Sequence, residues 1–189
     1  FTWRNEEFVP ITAIDPIRLT DLKNYEVQRS KVVDNTVAFL SDLPANNVLL
    51  YGDRGTGKSS TVHAILNEYK NQGLRMIEIS KGDINDLTMI RERIAGSPMK
   101  FIIFIDDLSF DNHDDSFGEL KAALEGSLSG RQGNTLIYAT SNRRHLIKEN
   151  FSDRENDVNR SDTLQEELSL SDRFGLSVTF INPDKKDFE

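Results

Sequence analysis

The feature that most constrains this sequence is a glycine-rich segment at residues 51–60, YGDRGTGKSS. It fits the pattern G-x-x-x-x-G-K-[ST] over residues 52–59. The apolar run 47–51 before it has the character of a strand, and residues 61–69 after it have helical periodicity. A strand, a tight glycine-rich turn and a helix in this order predict an α/β fold that holds a phosphate group at the turn.

The chemistry of this segment suits a polyphosphate and a metal ion. Glycine tolerates positive φ and lets backbone N–H groups approach phosphate oxygens closely. Lys58 is predicted to contact the β- and γ-phosphates, and Ser59 to offer its hydroxyl to Mg²⁺ at the positive end of the helix. The alternative is a glycine-rich turn that binds no ligand. The residues predicted to contact the nucleotide are Gly52, Asp53, Arg54, Gly55, Thr56, Gly57, Lys58, Ser59 and Ser60.

A second candidate site element is the run KFIIFIDD at residues 100–107. Its continuous apolar residues predict a central strand that is buried on both faces of a parallel sheet. Asp106, at the end of this strand, is predicted to bind Mg²⁺ directly or through water. Asp107 is a candidate for orienting or deprotonating an attacking water. The alternative for either carboxylate is a polar strand end or a helix cap.

Composition and charge argue against several classes of protein. The formal net charge of −8 disfavours a surface built mainly to hold DNA or RNA, which requires clustered Lys and Arg. The sequence has no cysteine, so disulfides and thiolate metal sites are excluded. No apolar run reaches the roughly 18 residues of a membrane span. We therefore expect a cytoplasmic protein with no membrane segment.

The remaining segments predict strands that alternate with helices. Residues 1–20 contain Pro10 and Pro16 and are expected to form an irregular, extended arm. Residues 21–189 are predicted to form a nucleotide-binding core with helices on both faces of a parallel sheet, and residues 148–161 a loop. The predicted strands are 47–51, 75–80, 100–107, 134–142 and 176–181. The predicted helices are 21–40, one that starts near Lys58 and includes the periodic residues 61–69, and 83–94, 116–128 and 163–170.

Four of these segments together resemble the AAA+ ATPases. The glycine-rich loop, the strand that ends in two aspartates, TSN at 140–142 and SDRFG at 171–175 occur in the order found in that class. From about residue 21 onward the chain is similar to one bacterial AAA+ family, domain of unknown function 815. The resemblance implies a P-loop NTPase fold, a three-layer α/β/α sandwich around a five-stranded parallel sheet. The segments that carry it are PANNVLLYGDRGTGKSS, FIIFIDDLSF, LKAALEG, LIYATSNRRHLI and LSLSDRFGL.

The resemblance also implies roles for individual residues. Asn142 matches the sensor 1 residue that helps place the lytic water, the alternative being a turn former at a strand end. Arg173 matches the arginine finger that reaches the γ-phosphate bound by a neighbouring subunit, the alternative being an intramolecular salt bridge. The implied catalytic residues are thus Asp107, Asn142 and Arg173, with Ser59 and Asp106 binding Mg²⁺. The implied ligand is ATP, and the implied assembly is a homo-oligomeric ring.

Two departures from the AAA+ pattern bear on activity. Most AAA+ enzymes end the strand with Asp-Glu, whereas this chain has Asp107 in place of the glutamate, as replication initiators and helicase loaders often do. The helical lid with its sensor 2 arginine is expected to lie outside residues 1–189, and the start at Phe1 suggests a piece of a longer protein. Adenine is expected between the N-terminal segment and this lid. Leu22 and Tyr25 are candidate base contacts, the alternative being ordinary core packing.

Two hypotheses of function follow from these features. The first is an ATPase of the AAA+ type that hydrolyses Mg·ATP to remodel a partner macromolecule. The second is a nucleotide-controlled switch or scaffold with little turnover, which the shorter Asp107 favours.

Overall fold

A computed structural model describes residues 1–110, 115–125, 133–142 and 170–181. The predicted loop at 148–161, most of the predicted helix 163–170 and the end of the predicted helix 116–128 lie outside the described residues. The strands are β1 (Thr2–Arg4), β2 (Glu7–Val9), β3 (Val48–Gly52), β4 (Leu74–Ile79), β5 (Lys100–Ile105), β6 (Thr135–Ser141) and β7 (Leu176–Phe180). The helices are α1 (Glu26–Leu40), α2 (Lys58–Tyr69), α3 (Leu87–Ile94) and α4 (Asp115–Glu125).

One seven-stranded sheet runs through the described part of the chain, in the order β2-β1-β4-β5-β6-β3-β7. The strands β3 to β7 pair in parallel, as predicted, and β1 extends them in parallel beside β4. Among the strands of the described ranges, only β2 is antiparallel, and it pairs with β1. Because the carboxyl ends of β3, β5 and β6 lie at one edge of the sheet, the segments that follow these strands meet there.

The predicted number of five strands was too small, because the first residues form a hairpin. β1 and β2 are joined by a turn at Asn5 and Glu6, both of which have positive φ. Trp3 is 1% exposed, its Nε1 donates a hydrogen bond to Asp86 (2.8 Å), and its ring packs edge-on against Phe8. The prolines that suggested an irregular arm come after the hairpin, so they do not interrupt it. A strand of three residues is too short to give a clear alternating pattern.

Because Trp3 anchors the hairpin, Trp3→Ala is expected to lower the free energy of unfolding by about 3–5 kcal/mol, the usual cost of emptying a large aromatic site. Val9→Ala in the same hairpin is the control, since Val9 is 40% exposed and exposed substitutions usually change stability by about 0.5 kcal/mol or less. Urea denaturation measures both variants. Equal stability of the two variants would show that the hairpin is not part of the folded core.

Helices cover the sheet on both faces, which confirms the predicted layers. Along β5, Ile102 and Phe104 belong to the core cluster shared with α1 and α2, whereas Ile103 and Ile105 belong to the cluster shared with α3 and α4. Such alternation is expected of a strand buried on both faces. The next residue on the α2 side is Asp106, so the register of β5 brings this carboxylate to the helix that follows the glycine-rich loop.

Two helices begin later than predicted. α1 begins at Glu26 rather than 21, because Tyr25 before it has the left-handed conformation with φ 59°. α3 begins at Leu87 rather than 83, because a 3-10 helix occupies Lys81–Asp86. α2 begins at Lys58, directly after Gly57 with φ 83°, so its first turn lies within the predicted phosphate loop as expected. No helix in the described ranges combines the length and apolar character needed to cross a bilayer.

Candidate nucleotide-binding site

The predicted phosphate loop connects β3 to α2 at the carboxyl edge of the sheet. Gly57, at the start of α2, has φ 83°, a conformation that strains any residue with a side chain. A Cβ added there would meet no atom of the described residues within 4 Å, so Gly57 is required by its backbone conformation and not by crowding. The N–H groups of the first turn have no acceptor within the helix and can donate to an anion.

Gly52 has a different reason to be glycine. Its φ is 133°, and a Cβ at this position would lie 1.9 Å from the carbonyl oxygen of Phe180 in β7. The next N–H, of Asp53, donates to that same carbonyl oxygen at 2.8 Å. Close contact with β7 therefore explains Gly52 without a ligand, although Gly52 was predicted as a nucleotide contact. Its role toward the nucleotide stays a prediction.

Lys58 lies inside the loop and is only 5% exposed. Its Nζ donates to the carbonyl oxygens of Asp53 at 2.6 Å and Gly52 at 3.2 Å. Burial lowers the pKa of Lys58, while the carboxylates of Asp53, Asp106 and Asp107 oppose that shift. An ammonium group has three N–H donors, so it can hold both carbonyls and still donate to a phosphate oxygen.

The two predicted metal ligands are brought together. Ser59 Oγ donates a hydrogen bond to Asp106 Oδ1 at 2.6 Å, although the residues are far apart in sequence. Hydroxyl and carboxylate oxygens are hard ligands of the kind that Mg²⁺ prefers. No group of three or more His, Asp or Glu in metal-binding geometry occurs among the residues described. This donor set fits Mg²⁺, which is usually held by one or two protein groups and by substrate phosphates.

Asp107 and Asn142, predicted to be catalytic, are also in contact. Asn142 Nδ2 donates to Asp107 Oδ1 at 2.7 Å. Asp107 has φ 52°, in the left-handed region that Asp tolerates better than most residues. This conformation directs the chain away from β5 immediately after Asp106. The geometry places both side chains at the edge of the sheet where the loop lies, and their catalytic roles stay predictions.

Arg173 forms an ion pair within its own chain. Its Nη2 lies 2.6 Å from Oε1 of Glu125 at the end of α4. Its Nε is buried and has no hydrogen-bond partner among the described residues. The alternative of an intramolecular salt bridge is therefore observed in this chain. A role in a neighbouring subunit stays a prediction, and it would require Arg173 to exchange Glu125 for a phosphate.

The other predicted contacts differ in exposure. Thr56 is buried, and its Oγ1 donates to the carbonyl oxygen of Asp53 at 2.8 Å, so it stabilises the loop internally. Asp53, Arg54 and Gly55 are exposed at the loop surface.

Tyr25, a candidate base contact, packs on Phe180 and donates through its hydroxyl to the Ile181 carbonyl at 2.9 Å. Tyr25 thus takes part in packing whether or not it contacts a base.

Comparison with known proteins places the chain in a family. The family described as "Protein of unknown function (DUF815)" matches residues 1–189. The chain belongs to this family. The DUF815 chain is also 27% identical over 145 residues to the probable mitochondrial chaperone BCS1-A of Dictyostelium discoideum, an alignment that covers 63% of the chain and 34% of the relative.

Two solved structures share the fold of this DUF815 chain. The Thermotoga maritima RuvB Holliday junction branch migration motor has a TM-score of 0.52 at 18% identity, over 87% of the chain and 47% of RuvB. DnaI has a TM-score of 0.57 at 15% identity, over 89% of each chain. The chain thus spans only about a third of BCS1-A and about half of RuvB. Together these relatives confirm the predicted P-loop fold of the AAA+ type.

No role was predicted for Thr140, whose hydroxyl contacts both aspartates of the site. Its Oγ1 donates to Asp106 Oδ1 and accepts a hydrogen bond from the Asp107 N–H. The alternation of side chains along a strand puts Thr140 on the same face as Tyr138, which lies in the core cluster on the α2 side. This alternation was a signal that Thr140 faces the helix that carries Ser59. A threonine in a strand is so common that this signal alone does not indicate a site.

A half-buried pair of His63 and Glu78 was also missed. His63 Nε2 and Glu78 Oε1 are 2.9 Å apart, and His63 lies one helical turn after Ser59. The hydrogen bond raises the pKa of His63 and lowers the pKa of Glu78. The pair joins α2 to β4 close to the candidate metal ligands, and it therefore helps to hold the helix that carries Ser59.

Proposed function

We propose that this protein binds Mg·ATP at the loop between β3 and α2 and hydrolyses it. The observation that carries this proposal is the 2.6 Å contact between Ser59 Oγ and the Asp106 carboxylate at the start of α2. Lys58 lies in the same loop, so the three groups are arranged to bind a triphosphate and its metal ion together. Lys58 would hold the β- and γ-phosphates, and Ser59 and Asp106 would hold Mg²⁺, which neutralises charge on the phosphate oxygens.

Asp107 and Asn142 are assigned to the attacking water. Asp107 has a carboxylate that can accept a proton or a hydrogen bond from water, and Asn142 fixes one of its oxygens through the 2.7 Å contact. Asn142 also has an amide oxygen that can accept a hydrogen bond from the same water. Together the two side chains can orient the water toward the γ-phosphate.

We further infer that the predicted core at 21–189, with the hairpin of β1 and β2 added to its sheet, works as part of a homo-oligomeric ring in the cytoplasm. In this arrangement Arg173 reaches the γ-phosphate of the neighbouring subunit, and hydrolysis is used to remodel a partner macromolecule. The AAA+ fold supports this assignment, as do relatives named as a probable chaperone and a branch migration motor. Nothing in the described surface favours nucleic acid over protein as the partner.

A nucleotide-controlled switch with little turnover is the second candidate. One contact and one residue identity favour it: Arg173 is paired with Glu125 in its own chain, and Asp107 is shorter than the glutamate of most AAA+ enzymes. In a switch, ATP would order the loop or the ring, and hydrolysis would be slow. Dependence of turnover on protein concentration separates the two candidates, because a finger supplied by a neighbour acts only in the assembly.

Lys58→Ala is expected to weaken the binding of a non-hydrolysable Mg·ATP analogue by about 10- to 100-fold, because a charge-assisted hydrogen bond contributes about 1.5–3 kcal/mol. Titration calorimetry on the purified protein measures this affinity. Lys31→Ala, at an exposed position of α1, is the matched control and should bind like the wild type. A wild-type protein that does not bind the analogue, or a Lys58→Ala variant with unchanged affinity, would contradict the proposed site.

A further inference from the structure

Thr140 connects the two aspartates of the candidate site through one side chain. It lies near the end of β6, next to β5, and is only 2% exposed. Its hydroxyl donates to Asp106 Oδ1. The same hydroxyl oxygen accepts a hydrogen bond from the Asp107 N–H at 3.0 Å. A hydroxyl has one donor and two acceptor sites, so both contacts form at the same time.

The backbone around Thr140 supports the same arrangement. Asp107 has φ 52°, which a non-glycine residue adopts only when its surroundings stabilise it. The Thr140 carbonyl accepts a hydrogen bond from the Leu108 N–H at 2.7 Å, so Thr140 holds the turn after β5 through its side chain and its main chain. The direction of the Asp107 carboxylate therefore depends on contacts that Thr140 makes.

Ser59 donates to the same Asp106 oxygen that Thr140 contacts. Because two hydroxyls donate to Oδ1, the carboxylate cannot rotate freely. The direction of its other oxygen, Oδ2, is therefore fixed as well. Second-sphere hydrogen bonds of this kind orient metal ligands and tune their affinity. Of these two hydroxyls, the one of Thr140 lies in the sheet, whereas the one of Ser59 belongs to the predicted phosphate loop.

We propose that Thr140 is a positioning residue that sets Asp106 for Mg²⁺ and Asp107 for the attacking water, and so joins metal binding to turnover. This inference rests on the proposed function, because it concerns the same Mg·ATP site. Thr140 does not touch the ligand in this scheme. Its effect passes entirely through the two aspartates, so it requires the hydroxyl and not the methyl group.

The test compares two variants that lack the Thr140 hydroxyl with one that keeps it. Thr140→Val keeps the size of the side chain, Thr140→Ala removes both groups, and Thr140→Ser keeps only the hydroxyl. Binding of a fluorescent non-hydrolysable ATP analogue is measured in EDTA and then titrated with Mg²⁺. Thr36→Val is the matched control, since Thr36 is fully buried and its hydroxyl bonds to Tyr138 and the Val32 carbonyl away from the site. Thermal melting in EDTA shows that each variant is folded.

Both hydroxyl-free variants are expected to need about 10- to 100-fold more Mg²⁺ for half-maximal binding, the usual loss when an outer-sphere partner of a metal ligand is removed. In EDTA the affinity of both variants for the analogue should match that of the wild type. Thr36→Val should bind the analogue like the wild type at any Mg²⁺ concentration. Thr140→Ser should need only as much Mg²⁺ as the wild type. Turnover should fall in the same two variants.

Two results would overturn the role of Thr140 while the wild type binds normally. The first is that Thr140→Val and Thr140→Ala need no more Mg²⁺ than the wild type for half-maximal binding. The second is that Thr140→Ser needs as much Mg²⁺ as Thr140→Val. If Thr140→Val melts too low to assay, Thr140→Ala and Thr140→Ser give the same comparison. A wild-type protein that binds no analogue would instead contradict the proposed function, so the two failures are distinguishable.

Discussion

Arg173→Ala is expected to lower ATP turnover about 10³-fold or more while nucleotide affinity stays close to that of the wild type, as for arginine fingers in other phosphoryl-transfer systems. The reason is that a guanidinium supplied by a neighbour offsets charge that develops only during transfer. Turnover should rise with protein concentration in the wild type, because the site is complete only between subunits. A steady-state phosphate-release assay over a range of concentrations measures both effects.

Mixing two inactive variants gives the control for Arg173. Lys58→Ala subunits keep their arginine, and Arg173→Ala subunits keep their phosphate loop, so a mixed ring contains some interfaces with both groups intact. Partial recovery of turnover on mixing is expected. Two results together would show that Arg173 acts only through its pair with Glu125. Mixing would never restore turnover, and Arg173→Ala would lower turnover equally at every protein concentration. A flat, negligible wild-type rate would favour the switch.

Asp107→Asn is expected to lower turnover by about 10²- to 10⁴-fold, the range associated with loss of a general base. Asparagine has nearly the same shape, and its Oδ1 can still accept the hydrogen bond from Asn142, so the change removes charge and basicity with little change in packing. Binding of Mg·ATP should persist. Steady-state turnover and calorimetric affinity, measured on the same preparation, separate the two effects.

Two further variants sharpen the test of Asp107. Asp42→Asn is the control, because Asp42 is an exposed aspartate that pairs with Lys100, away from the site. Its turnover should match the wild type. Asp107→Glu introduces the residue of most AAA+ enzymes and should retain turnover, since a carboxylate remains. Wild-type turnover in Asp107→Asn would contradict the assignment of Asp107 to the water.

The parts of the fold that were predicted are those with strong local signals. The apolar run of β5 and the strand, loop and helix around residues 47–69 combine periodicity with turn chemistry, and both were found close to their predicted bounds. The convergence of Ser59 and Asp106 followed from topology, because parallel strands of one sheet end at the same edge, where β3 and β5 lie on either side of β6. The family resemblance then gave the AAA+ type.

The parts that were missed depend on contacts between distant segments. The hairpin of β1 and β2 is held by Trp3 against Asp86, which no local pattern indicates. Gly52 fits the phosphate-loop pattern, yet its close approach to the Phe180 carbonyl is a feature of the packing of β3 on β7. The Thr140 contacts likewise join β6 to residues that follow β5. Such contacts are set by register and side-chain direction, which residue order alone does not specify.

The most direct test of this account is a crystal structure with a non-hydrolysable ATP analogue and Mn²⁺ in place of Mg²⁺, with the metal located by its anomalous scattering. We expect one anomalous peak beside Ser59 Oγ and the Asp106 carboxylate, with the triphosphate at the start of α2 and the Lys58 ammonium on its β- and γ-phosphates. A triphosphate bound elsewhere, or a metal ion with neither Ser59 nor Asp106 in its first or second coordination sphere, would contradict it.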